Sequence, residues 1–184
     1  LMLHVNGLLQ PTSGSVTIGD IPITKSTLTI IRQTVGLVFQ NPDDQLFMPT
    51  VEEDVAFGPV NMKLPDDEVE RRVVMALEAV GATSLRKRAS YQLSGGQKRS
   101  VAIATVLSME PDILVLDEPS SNLDPHSRRL MMEQLRRFKH TCIVTTHDID
   151  MVKELCARTI VMAEGRIIAD GATEDVFRDE EVLC

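Results

Sequence analysis

The sequence predicts an α/β fold with a mostly parallel sheet, a helical insert and an edge β-hairpin. Three observations predict it. Apolar runs that read as strands, VGLVFQ (35–40) and ILVLDEP (113–119) as buried ones and TCIVTTHD (141–148) as an apolar one with a polar end, alternate with helical patterns. The first two runs are separated by a long helical stretch from Val51 to Leu107, which marks an insert. SVTIGDIPI alternates polar and apolar residues, as a hairpin at a sheet edge does.

The elements follow in order. After VGLVFQ comes a loop rich in Pro and Asp, NPDDQLFMPT. In DDEVERRVVMALEAVGA, Val69, Val73, Ala76, Leu77 and Val80 share one helical face. Asp66 or Asp67 can cap that helix at its start and Gly81 can close it. Helix signals recur from Pro125 to Lys139 and over about 149–157. RTIVMAEGRIIADG reads as a second hairpin, turning at Glu164-Gly165.

A chain of 184 residues is one domain, or one domain with a subdomain, and can bury a sizeable core. Its net charge of -8 argues against a nucleic-acid surface, which needs a basic excess. Cys142, Cys156 and Cys184 lack metal-ligand spacing and read as buried or terminal thiols in a reducing compartment. No apolar run approaches the roughly 18 residues of a membrane span.

GDIPITKST (19–27) nearly matches the phosphate-loop pattern G-x-x-x-x-G-K-[ST], but Thr24 stands where the second Gly belongs. Such a loop wraps an anion with inward backbone N–H groups. Thr24 hinders that wrapping and Pro22 removes a donor. Only about seven residues, Thr27 to Gln33, precede the next strand, too few for the helix that such a loop feeds. A hairpin tip with a solvated Lys25 is expected instead.

Chemistry points elsewhere. LSGGQ (93–97) opens an apolar-periodic helix carrying Val101, Ala102, Ala104 and Leu107. Ser94 supplies a hydroxyl, Gly95 and Gly96 expose bare backbone, and a helix N-terminus favours anions. Alone, such a turn is a helix cap more often than a ligand site. Asp117 and Glu118 end a buried strand, where α/β proteins place ligands. An aspartate there can hold Mg²⁺, and the adjacent glutamate can polarise a water attacking a phosphoryl group. The pair can equally cap a helix. His147 and Gln40 each end an apolar strand. His147 can hydrogen-bond a transferring phosphate, and Gln40 can ligate Mg²⁺ or orient water. Each can also be no more than a polar strand terminus.

Taken in order, Gln40, LSGGQ, ILVLDEP, SNLD (121–124) and His147 resemble the motifs of ATP-binding cassette ATPases, over nearly the whole chain. The resemblance implies a P-loop NTPase-like core from residues 1–40 and 106–184, with a Q-loop and helical signature subdomain over about 41–105. It makes Gln40 the Q-loop glutamine and Ser94, Gly95, Gly96 and Gln97 the signature. Asp117 becomes the Walker B aspartate, Glu118 the catalytic glutamate, Asp124 the D-loop aspartate and His147 the switch histidine. ATP and Mg²⁺ are the implied cofactors. QNPDDQLFMPTVEEDVAFGPVN and LHVNGLLQPTSG are similar to the ATPase subunits of energy-coupling-factor transporters and of related cobalt and nickel importers. That group implies a second ATPase subunit, a transmembrane coupling subunit, a membrane protein that captures a metal ion or vitamin, and a peripheral place on the cytoplasmic face. Phe47 and Val51 to Phe57 become candidate docking contacts.

In that family the Walker A loop lies just before the stretch resembling LMLHVNGLL, so the resemblance implies a fragment without its main phosphate cradle. It also implies that relatives continue past FRDEEVLC. A partner-binding remnant without catalysis is the alternative. Chromosome-maintenance and DNA-repair ATPases carry similar motifs, but they place long coiled coils between the two halves. Here about 53 residues separate Gln40 from Leu93, without a sustained heptad.

Overall fold

The structure, a computed structural model, describes residues 1–179. Cys184 and the end of the FRDEEVLC run lie outside the described residues. Two compact units are present, Leu1–Thr145 and a second beginning at Thr146.

The first unit holds the parallel sheet. Its strands are β3 (Val35–Val38), β4 (Ile113–Asp117) and β5 (Thr141–Thr145), in the order β3-β4-β5 with both pairs parallel. Every residue of β3 is buried, as is Leu114 to Leu116 of β4, as continuous apolar runs require. Around it stand α1 (Met2–Val5), α2 (Leu28–Thr34) and a hairpin of β1 (Thr17–Ile18) and β2 (Ile21–Pro22). That hairpin turns at Gly19-Asp20. Thr24, Ser26 and Thr27 then close on each other through their hydroxyls, and Thr27 Oγ1 donates to Pro22 O at 2.6 Å. Lys25 is exposed on this turn, so GDIPITKST is a hairpin and connector with its hydroxyls tied to one another.

The helical insert is α3 (Val51–Asn61), α4 (Asp66–Ala79) and α5 (Gly95–Leu107), which pack on one another. Thr50 caps α3, accepting from Glu53 N at 3.4 Å while its hydroxyl donates to Glu53 Oε2 at 2.7 Å. In α4, Val73, Ala76 and Leu77 are buried, and Val80 beyond it, so the predicted face is the packed one; Val69, at the outer turn, is half-buried. Neither Asp66 nor Asp67 caps α4. Pro65 takes the N-cap position without a side-chain cap, and both aspartates sit in the first turn, where they favour the helix dipole. Gly81 closes the helix at φ +65°: its N–H reaches Glu78 O at 3.1 Å, and Ala82 N reaches Leu77 O at 2.8 Å. α6 (Pro125–Arg137) follows β4, buries Met131, Met132 and Leu135, and leads to β5.

β5 corrects an expectation. Thr141, Cys142 and Ile143 are exposed on β5, the outer strand of the three. Cys142 is therefore an exposed thiol and Cys156 a half-buried one, with burial pushing the Cys156 thiol up.

In the second unit, α7 (Ile149–Leu155) is capped by Asp148, which accepts from Met151 N at 3.0 Å. β6 (Arg158–Ala163) and β7 (Arg166–Ala172) form the predicted hairpin, and Glu164 and Gly165 both take positive φ at its turn. The short α8 (Thr173–Val176) packs on it, with Thr173 Oγ1 donating to Cys156 O at 2.6 Å.

Candidate functional site

The LSGGQ turn is built as a helix start. Ser94 is the N-cap of α5, with an extended backbone at φ -67° and ψ 161°. Its Oγ accepts from Gln97 N at 3.3 Å, and Gln97 Oε1 accepts from Ser94 N at 2.9 Å. This reciprocal box leaves Ser94 and Gly95 exposed, with the positive end of a 13-residue helix behind them.

The two carboxylates of ILVLDEP sit at the carboxyl end of β4. Asp117 Oδ1 accepts from Thr145 Oγ1 at 2.6 Å, so β5 fixes its rotamer. Asp117 Oδ2 takes no hydrogen bond among the described residues. Glu118 leaves the strand with its backbone at φ +45°, a left-handed conformation costly for a side chain with a Cβ. Its N–H donates to Thr145 O at 2.9 Å, and Ser121 Oγ stands 3.5 Å from its Oε2. The turn thus lifts a half-buried glutamate off the sheet beside the aspartate.

Asp124 caps α6. Its Oδ1 accepts from His126 N and Ser127 N, each at 3.0 Å, and its Oδ2 accepts from Ser127 Oγ at 2.6 Å. The Ser127 hydroxyl, followed by the two backbone donors, holds the Asp124 carboxyl below the usual aspartate range. His147 lies two residues beyond β5, exposed, in the second unit.

Gln40 stands two residues past β3, and its side chain is exposed. Its backbone is held from α5. Arg99, buried, donates to Phe39 O at 2.7 Å and to Gln40 O at 2.5 Å. Gln45 adds a second tie: Phe39 N donates to its Oε1 at 3.1 Å, while its Nε2 reaches Ala102 O at 2.8 Å and Thr105 Oγ1 at 2.7 Å. Lys98 pairs with Asp43 at 2.6 Å. The loop after β3 and helix α5 are therefore fastened to each other in one unit.

Beside this fastening runs a groove of about 540 Å³ whose lining includes Leu37, Phe39, Phe47, Asp54, Phe57 and Met109. Phe47 and Phe57 are exposed and meet edge to face at 4.9 Å. Val51 and Val55 are wholly buried, so of the candidate docking residues only the aromatic pair, among these four, faces out. Burial pushes the Asp54 carboxyl up; its Oδ1 accepts from Phe47 N and Met48 N, each at 2.9 Å, and its Oδ2 is buried without a partner.

The sequence profile of the ABC transporter family matches residues 1–121. The chain belongs to this family. A Geobacter sulfurreducens protein of the class, the ABC transporter ATP-binding protein GSU1281, is 63% identical over 184 residues, spanning all of this chain and 74% of its own length. The energy-coupling factor transporter ATP-binding protein EcfA of Methanocaldococcus jannaschii is 48% identical over 188 residues, spanning all of this chain and 67% of EcfA. Among solved structures, cbiO1 of Clostridium perfringens, part of the ABC transporter complex cbiONQ, superposes with a TM-score of 0.85 at 43% identity, over 98% of this chain and 74% of cbiO1. The ATP-binding cassette MJ0796, solved as a dimer in a post-hydrolysis state with ADP and Pi, gives 0.81 at 28% identity, over 94% and 78%. The reaction class of this ABC ATPase is ATP hydrolysis coupled to transport.

Among the residues that motif reading passed over, Arg99, Gln45 and Thr145 hold the candidate site in place. Arg99 had a signal. It shares a helical face with Ala102, Ile103 and Val106, all buried, so the period places a guanidinium inside. Gln45 and Thr145 carry no such mark, because their roles depend on which segments meet across the fold.

Proposed function

We propose that this chain is the ATPase subunit of an energy-coupling-factor-type importer that carries a metal ion or a vitamin. The arrangement that supports catalysis is the end of β4, where Thr145 fixes Asp117 while a left-handed turn lifts Glu118 beside it. The importer class rests on the likeness to EcfA and cbiO1.

Asp117 fits Mg²⁺, which binds through one or two carboxylates together with phosphate and water oxygens: one of its oxygens is held by Thr145 and the other has no protein partner among the described residues. With Gln40 assisting, it would hold the ion, which neutralises charge on the phosphates. Glu118 orients the water that attacks the terminal phosphate and accepts its proton. His147, in the second unit, takes from the family resemblance the role of hydrogen-bonding a transferring phosphate. Two cassettes face head to tail, so Ser94, the Gly95 and Gly96 N–H groups and the α5 dipole reach ATP held by the other subunit. Gln97 keeps that turn closed, and Asp124 lies at the same interface.

The docking face is the groove beside Phe47 and Phe57, taken by a transmembrane coupling subunit that also joins the capture protein. No described helix is long and apolar enough to cross a membrane, and docking there would hold the cassette on the cytoplasmic face as a peripheral subunit. Because Arg99 and Gln45 tie the groove wall to α5, closure of the cassettes would move the coupling subunit directly.

The test is Glu118→Gln in the complete protein. ATP binding stays within about threefold of wild type while turnover falls by about 10² or more, the size of a general-base loss. Unchanged turnover removes Glu118 from its role.

A further inference from the structure

Two helix starts meet inside this one subunit. Gly96, at the second position of α5, lies against Ser127, at the third position of α6. A β-carbon built on Gly96 would stand 2.3 Å from Ser127 Oγ and 2.7 Å from Ser127 Cβ. Real β-carbons do not approach that closely, so only glycine at 96 lets the two starts touch. Ser127 is half-buried there, and its hydroxyl is spent on Asp124 Oδ2 at 2.6 Å. One small side chain thus presses on the signature turn on one side and holds the D-loop aspartate on the other.

We infer that Ser127 is a positioning residue: it sets the spacing between the signature turn and Asp124, so that both are presented to the opposite subunit as one rigid edge. The inference rests on the head-to-tail arrangement proposed above. Its physical basis is local. The serine side chain is short enough to fit beside bare backbone, and its hydroxyl is a donor that the negative Asp124 holds strongly. Loss of that donor leaves Asp124 with two backbone N–H groups and a freer side chain. Added bulk drives the α5 start away from α6.

The experiment uses the complete protein carrying Ser127→Ala or Ser127→Val. It measures kcat and KM for ATP, ATP-driven dimerisation by analytical ultracentrifugation in a Glu118→Gln background, and thermal melting. Ser127→Ala is expected to lower kcat and the dimer association constant about tenfold, the scale of one hydrogen bond to a charged group. KM for ATP stays within about twofold, because the residue does not touch ATP held by its own subunit. Ser127→Val is expected to lose more, since it adds bulk against Gly96. Melting shifts by less than about 3 °C in Ser127→Ala, a surface-turn change in a chain of this size. If the Glu118→Gln parent forms ATP-driven dimers and adding Ser127→Ala changes dimerisation, and in the wild-type background kcat, by less than twofold, the positioning role is overturned while the sandwich stands. A raised KM with kcat unchanged overturns it as well. A Glu118→Gln parent that does not dimerise with ATP, together with a wild type that does not hydrolyse it, overturns the sandwich, and this role with it.

Discussion

Arg99→Met is the sharpest probe of how the signature helix holds the Q-loop. Arg99 is 3% exposed and gives two hydrogen bonds to backbone carbonyls, at 2.7 and 2.5 Å. Hydrogen bonds from a charged donor contribute roughly 1.5–3 kcal/mol each, so the gross contribution is about 3–6 kcal/mol. Against this stands the cost of burying the cation: burial pulls the Arg99 pKa down, and its Nε has no partner. Methionine removes that cost and keeps most of the volume, but leaves the Phe39 and Gln40 carbonyls without donors at roughly 1–3 kcal/mol each. The net loss comes to about 2–4 kcal/mol, or roughly 5–15 °C of melting temperature at this chain length. Urea unfolding of the complete protein measures it from the midpoint at constant slope. Arg99→Lys keeps the charge without the planar fork and falls between the two. A loss below about 0.5 kcal/mol in Arg99→Met, the range of ordinary surface changes, would refute the argument that these bonds hold the Q-loop.

Two further outcomes follow from local geometry. Glu118 has φ +45°, so Glu118→Gly should be more stable than Glu118→Ala by about 1 kcal/mol, although both lose the carboxylate; equal urea midpoints would show that this backbone carries no strain. Glu68, donated to first by Arg71 and then by Arg72, is held down to about 2 from 4.5. A carboxyl depressed by folding adds stability that is present above about pH 4.5 and lost as pH falls toward 2. Glu68→Gln should therefore flatten the acid side of the stability curve, read as the change in urea midpoint between pH 6 and pH 3, and an unchanged acid side would exclude the linkage.

Periodicity made much of this fold legible. VGLV and LVL are buried as continuous apolar runs, and Gly81 ends α4 because the Cβ-free residue takes the left-handed turn. VGLVFQ was legible as a strand but not in its length: β3 stops at Val38, since Phe39 N turns to the Gln45 side chain instead of the ladder. The exposure of Cys142 and Ile143 was hidden because apolar composition tells a buried strand from an edge strand only when the neighbours are known. At the candidate site, LSGGQ and ILVLDEP could be singled out by residue type and spacing, and their assigned roles came from the family resemblance. Thr145 and Ser127 did not, because a hydroxyl holding a carboxylate looks the same in sequence as one facing water.

The helical layer is fastened in two different ways. Glu52, Glu70 and Arg86 on one side, and Glu68, Arg72 and Glu110 on another, are ion pairs at or near the surface. Arg99 lies inside. At physiological ionic strength the screening length is about 8 Å, and at 1 M about 3 Å, so salt weakens the first kind and leaves the second nearly untouched. The stiffness of α3 and α4 against each other is thus set partly by the surrounding electrolyte, while the register between Q-loop and signature helix is not. Raising the ionic strength would thus loosen one face of the helical layer while the loop after β3 stays locked to α5.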